Sequence, residues 1–104
     1  MKTNRIEDFI IESAKRMLPV KKIILFGSRA RGTAKERSDY DFAFKLEPTS
    51  DKSRKWVLFC GFVDEQAPTL LNIDTVDLSS SLPLELREEI EQEGRVIYSN
   101  EEEG

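Results

Sequence analysis

Two short apolar runs constrain this chain more than any other feature. Lys22–Phe26 is rich in Ile, and Asp39–Leu46 carries Phe42 and Phe44 two apart; both read as strands. The polar stretch between them opens as Phe26-Gly27-Ser28-Arg29-Ala30-Arg31-Gly32 and closes as Ser38-Asp39-Tyr40-Asp41-Phe42. A connection over 27–38 allows the two strands to be antiparallel neighbours. Gly27 ends the first run abruptly. Lacking a Cβ, it lets a ligand approach the backbone where a short helical turn begins.

The rest of the chain fits around that pair. Ile6, Phe9, Ile10, Ala14 and Met17 recur at helical spacing, which predicts a helix over 5–18. Asn4 with Glu7 supplies a capping-box-like start, and Pro19 the stop. Lys52–Gln66 reads as a second helix with Trp56, Phe59, Cys60 and Val63 inward, although Gly61 interrupts it. Asn72–Leu78 is a third strand, and the intervening helix allows a crossover connection. Residues 84–93 form a last helix with Leu86 and Ile90 inward and Gly94 as its stop; Arg95–Ser99 is a fourth strand. The stretch Glu101–Gly104 reads as a solvated acidic tail. This order predicts an α+β fold, a small mixed β-sheet with helices packed mainly on one face. The 104 residues leave room for a single domain, 1–104.

Composition narrows the chemistry. The chain has no His and one Cys, Cys60. Ser-His-Asp and Cys-His sites are therefore excluded, as are imidazole zinc sites and internal disulfides. Carboxylates, hydroxyls, Lys/Arg and backbone N–H groups remain, an inventory suited to phosphate and Mg²⁺. Residues 1–55 hold 14 Lys/Arg against 8 Asp/Glu, and residues 56–104 hold 2 against 12. The first part is thus net +6 and the second net −10. An acidic chain of this kind is not a general nucleic-acid coat, but a local basic site for a small polyanion is compatible with it. No signal-like stretch or membrane-length apolar run is present, so a soluble cytoplasmic protein is expected.

The Asp pair is the sharpest chemical signal. Period-two alternation puts Asp39 and Asp41 on one face of a strand, with Cα atoms roughly 6.7 Å apart from twice the ~3.3 Å rise. Two carboxylates so placed can share a hard cation such as Mg²⁺. Strand 72–78 offers a third. Asp74 and Asp77 are the candidates, and their odd separation sends them to opposite faces. If that strand lies beside the second, Asp77 could complete a triad, with Asp74 read as a turn or edge residue. Tyr40 points away from the carboxylates.

Gly27-Ser28, ten residues, then Asp39-Tyr40-Asp41 resembles the signature of the minimal nucleotidyltransferases of the DNA polymerase β-like superfamily. Val76-Asp77-Leu78 resembles their third-carboxylate strand, and Leu86–Tyr98 their closing helix and strand. The resemblance implies that Gly27 and Ser28 hold the triphosphate of a nucleotide, usually ATP. It implies that Asp39, Asp41 and Asp77 bind Mg²⁺, two ions in all, and that Asp77 activates an acceptor hydroxyl. Arg29 and Arg31 could neutralise phosphate charge, or belong with Lys35 and Arg37 to a solvated basic loop. The reaction implied moves a nucleoside monophosphate to a hydroxyl and releases pyrophosphate.

With Gly104 soon after the fourth strand, no acceptor site is expected within these residues. Minimal members of the family work beside a separate helical protein of the HEPN or substrate-binding type, and some are antitoxins that attach AMP to a HEPN toxin. A hetero-oligomer is the implied assembly. Two functions stay open: an enzyme that modifies its protein partner, and a binding module that neutralises it by contact with catalysis weak or lost.

Overall fold

Asn4 starts the first helix by two reciprocal bonds. Its side chain accepts from the Glu7 amide at 2.8 Å and donates to the Glu7 carboxylate at 2.9 Å. The computed structural model, which describes residues 3–101, carries this helix α1 over Arg5–Met17. Leu18 is already extended, as a residue before proline must be. Strand β1 (Val20–Phe26) begins two residues before the apolar run. A register irregularity between Val20 and Lys22 breaks the alternation there, so the start of the strand does not show as a periodic pattern.

A single helical turn, α2 (Ser28–Arg31), follows, then β2 (Tyr40–Leu46). The strand begins one residue later than expected, which leaves Asp39 just outside it. Helix α3 (Lys52–Gln66) runs unbroken through Gly61. It leads to β3 (Ile73–Asp77), α4 (Leu84–Glu93) and β4 (Arg95–Ser99). Residues 102–104, most of the expected acidic tail, lie outside the described residues.

The sheet order is β3-β2-β1-β4. Strand β1 pairs antiparallel with both β2 and β4, while β3 runs parallel to β2 after the α3 crossover. Helices α1 and α3 cover one face. There Ile10, Ala14, Ile23, Leu25, Phe42, Phe44, Phe59 and Val63 form the main core. Phe44 meets Phe59 and Trp56 edge-on, with ring centroids 5.2 and 5.4 Å away. Helix α4 lies on the opposite face, where Ile90 packs with Phe26 and Ala43. Gly94 ends α4 so close to β1 that a Cβ would collide with Ile24. Among the described residues no helix is long and apolar enough to cross a membrane.

Candidate active site

Strand β2 carries the alternation that builds the site. Tyr40, Phe42 and Phe44 turn into the main core, which sends Asp41 and Ala43 to the α4 face. Antiparallel register sets Asp41 opposite Phe26, so the chain leaves β1 directly beside the carboxylate. Gly27 takes φ +75° at this point, and a Cβ there would collide with the Asp41 carboxylate. Only glycine meets both demands. Ser28 then begins α2.

The cleft beside this turn has a volume of about 430 Å³. Gly27, Ser28, Arg31, Asp39 and Asp41 line it, with Leu86 and Glu89 contributed by α4. Five of the seven residues singled out from the sequence thus share one cavity. Glu89 was not among them. It lies three positions after the inward Leu86, on the same side of α4, and that spacing is the signal that could have found it.

A further carboxylate stands at the start of β3. In the parallel ladder Asp41 pairs with Asp74, so the two carboxylates leave adjacent strands on the same face, and Asp74 lines the neighbouring cavity with Asn72 and Ile73. Asp77 is three residues further on and pairs with Phe44, a residue of the α3 face. Its carboxylate accepts from the Ser79 amide at 2.9 Å and hydroxyl at 2.7 Å, with Lys52 Nζ 3.5 Å away. The structure therefore does not bring Asp77 to the cleft. It holds the turn after β3, and Asp74 is the residue beside Asp41.

The two arginines also part company. Arg31 reaches the cleft, but its Nη1 is shared between Glu93 at 3.1 Å and Glu89 at 3.5 Å. Arg29 does not line the cleft. Its guanidinium lies 4.3 Å over the Tyr40 ring and donates to the carbonyls of Ser38 and Glu36.

Burial pushes the Asp41 carboxyl up to about 6, helped by the charge and hydrogen bond of Asp74 and by the charges of Asp39 and Glu89. Among the described residues no three His, Cys, Asp or Glu side chains form a ready-made metal cage. The donor set nevertheless suits a hard divalent cation. Asp41 and Asp74 leave adjacent strands on one face, and exposed Asp39 lines the same cleft as Asp41. A cation among them would relieve the like-charge repulsion that helps to raise the Asp41 carboxyl.

The strand–Gly–Ser turn, the carboxylates on adjacent strands and the α-β order together define a nucleotidyltransferase core. The family model "Polymerase beta, Nucleotidyltransferase" matches residues 8–103, and the chain belongs to that family. No curated protein matches the chain. Among solved structures, a chain of a toxin–antitoxin complex with AMP-PNP is 26% identical, with a TM-score of 0.68. The match covers 90% of this chain and 73% of that one. A chain of a mutant MntA–HpeT toxin–antitoxin complex is 27% identical at a TM-score of 0.67, covering 95% and 75%. A chain from the complex of tri-AMPylated Shewanella oneidensis HEPN toxin with MNT antitoxin shares the fold at 24% identity and a TM-score of 0.60, covering 90% and 70%.

Proposed function

We propose that this protein transfers AMP from ATP to a hydroxyl of a separate protein partner, as the antitoxin half of a HEPN-type pair, and does so in the cytoplasm. The observation that carries the reading is the register pairing of Asp41 with Asp74 on one face of the sheet, with the Asp41 carboxylate directly against Gly27. The family membership and the AMP-PNP and AMPylated complexes among its structural neighbours support it.

In this reading Gly27 and Ser28 hold the triphosphate, and Asp39, Asp41 and Asp74 hold Mg²⁺. Bound there, the metal supplies neutralisation of charge on the attacking and leaving oxygens. The chain's own residues do the positioning. Ser28 and the open backbone at Gly27 align the phosphates against the carboxylates. Asp74 borders the free edge of β3, the side open to an incoming hydroxyl, and accepts its proton. Arg31 trades Glu89 and Glu93 for phosphate oxygens when the nucleotide enters.

The test is co-expression of the HEPN-type partner with the wild type or with Asp39→Ala/Asp41→Ala, followed by intact mass of the partner. A gain of one or more AMP units, absent with the variant, is the expected result. An unchanged mass with the complex retained would overturn it and favour neutralisation by contact alone.

A further inference from the structure

Of Asp39, Asp41 and Asp74, Asp39 alone stands outside the sheet, so no ladder bond of its own strand fixes it. Its position is set by its two neighbours, and a single side chain grips both. Arg29 Nη2 donates to the Ser38 carbonyl at 2.7 Å and to the Glu36 carbonyl at 3.2 Å. The same guanidinium lies over Tyr40, 4.3 Å from its ring centre. Tyr40 is itself anchored. It is 4% exposed, its hydroxyl accepts from Asn4 Nδ2 at 3.1 Å, and its amide donates to the Asn72 carbonyl at 3.0 Å. Arg29 leaves the backbone one residue after Ser28, so it ties the Gly27–Ser28 turn to the Asp39 segment.

This placement is a poor way to gain stability. Arg29 Nε is buried without a hydrogen-bond partner among the described residues. In this half-buried side chain, a buried donor left idle costs free energy that the two carbonyl bonds only partly offset. Lysine could not replace it, because a single ammonium cannot lie over a ring while bonding two carbonyls.

We infer that Arg29 is a positioning residue for Asp39: it clamps Ser38 and Tyr40 so that the carboxylate between them meets Asp41 and their shared cation, and it does not itself touch the triphosphate. The metal half of this inference rests on the function proposed above; the clamp does not.

Two measurements on the wild type, Arg29→Met and Arg29→Lys separate those halves. The first is amide hydrogen exchange in the metal-free protein. The Ser38 and Tyr40 amides, which donate to Lys35 and Asn72, should exchange about tenfold faster in Arg29→Met, with the β1 amides unchanged and Arg29→Lys intermediate. Unchanged exchange at both amides would overturn the clamp. The second compares Mn²⁺ affinity in the presence of AMP-PNP with AMP-PNP affinity in a chelator. Arg29→Met should weaken Mn²⁺ about tenfold, the scale on which supporting residues affect metal affinity, and leave metal-free nucleotide affinity within about twofold. An equal loss in both affinities would make Arg29 a phosphate ligand and overturn the inference. A wild type that binds neither Mn²⁺ nor AMP-PNP would overturn the proposed function and the metal half together, with the exchange result still deciding the clamp.

Discussion

On β2, Tyr40, Phe42, Phe44 and Leu46 face α1 and α3, whereas Asp41, Ala43 and Lys45 face α4. The first set is buried among aromatic rings. The second begins with a carboxylate whose burial and like-charged neighbours keep it protonated well above the ordinary range. One face gains free energy from burial, and the other gives some up to hold charges close together. Only a strand anchored on its apolar side can present such a strained polar side.

The largest expected effect tests that anchoring. Phe44 is fully buried and meets two aromatic rings, so Phe44→Ala should cost about 3–5 kcal/mol of stability in urea unfolding. A cost below about 1 kcal/mol would mean that the α1/α3 face is not the anchor.

The next prediction separates the two candidate third carboxylates. Asp74→Asn should slow AMP transfer about 100-fold, near 2.7 kcal/mol, at unchanged fold. Asp77→Asn should leave transfer within about twofold and cost about 0.5–1 kcal/mol of stability, through its lost hold on Ser79 and Lys52. The opposite pattern would restore Asp77 to the site.

That pair also shows what could be read without coordinates. The helical stripe of α1, the two strands around the Gly27–Asp41 segment, the bounds of α3, α4 and β4, and the outward-inward alternation of β2 are local patterns, and they match the fold. Which Asp of β3 meets Asp41 depends on strand register, a tertiary property. Parity places Asp74 and Asp77 on opposite faces but does not say which face is which. Parallel strands start at the same end of a sheet. Asp41 is the second residue of β2 and Asp74 the second of β3, so strand direction points to Asp74 as the neighbour of Asp41, where the Val-Asp-Leu pattern pointed to Asp77. Arg29 was hidden for a similar reason. A basic loop residue beside Ser28 suggests phosphate, and only the folded path of 33–38 brings its guanidinium to Ser38 and Tyr40.

A smaller effect follows from the raised Asp41. Its folded value, about 6, exceeds its ordinary 3.8, so the native state binds that proton more tightly than the unfolded chain does. The resulting stabilisation is complete below 3.8 and is lost as pH rises through about 6. Glu7, also raised by burial, acts in the same direction, so the wild type should be compared with a variant rather than read alone. Asp41→Asn should be more stable than the metal-free wild type by about 1–2 kcal/mol at pH 8, since partial solvent access screens the repulsion it removes. The difference should vanish near pH 4. An equal difference at both pH values would place the strain elsewhere.

The smallest effect concerns the rim. Glu93→Gln should change stability by no more than about 0.5 kcal/mol, because its pair with Arg31 is well exposed. By freeing Arg31 it should tighten AMP-PNP binding about twofold.

The central claim is that the polar side of β2 and β3 gathers Asp39, Asp41 and Asp74 around a cation. The most direct measurement is the anomalous signal of Mn²⁺ in crystals grown with Mn²⁺ and AMP-PNP. The account predicts a peak in coordination contact with Asp41, Asp39 and a phosphate oxygen, with Asp74 in the same cluster. A peak against Asp77, or a bound nucleotide whose phosphates lie away from Gly27 and Ser28, would contradict it.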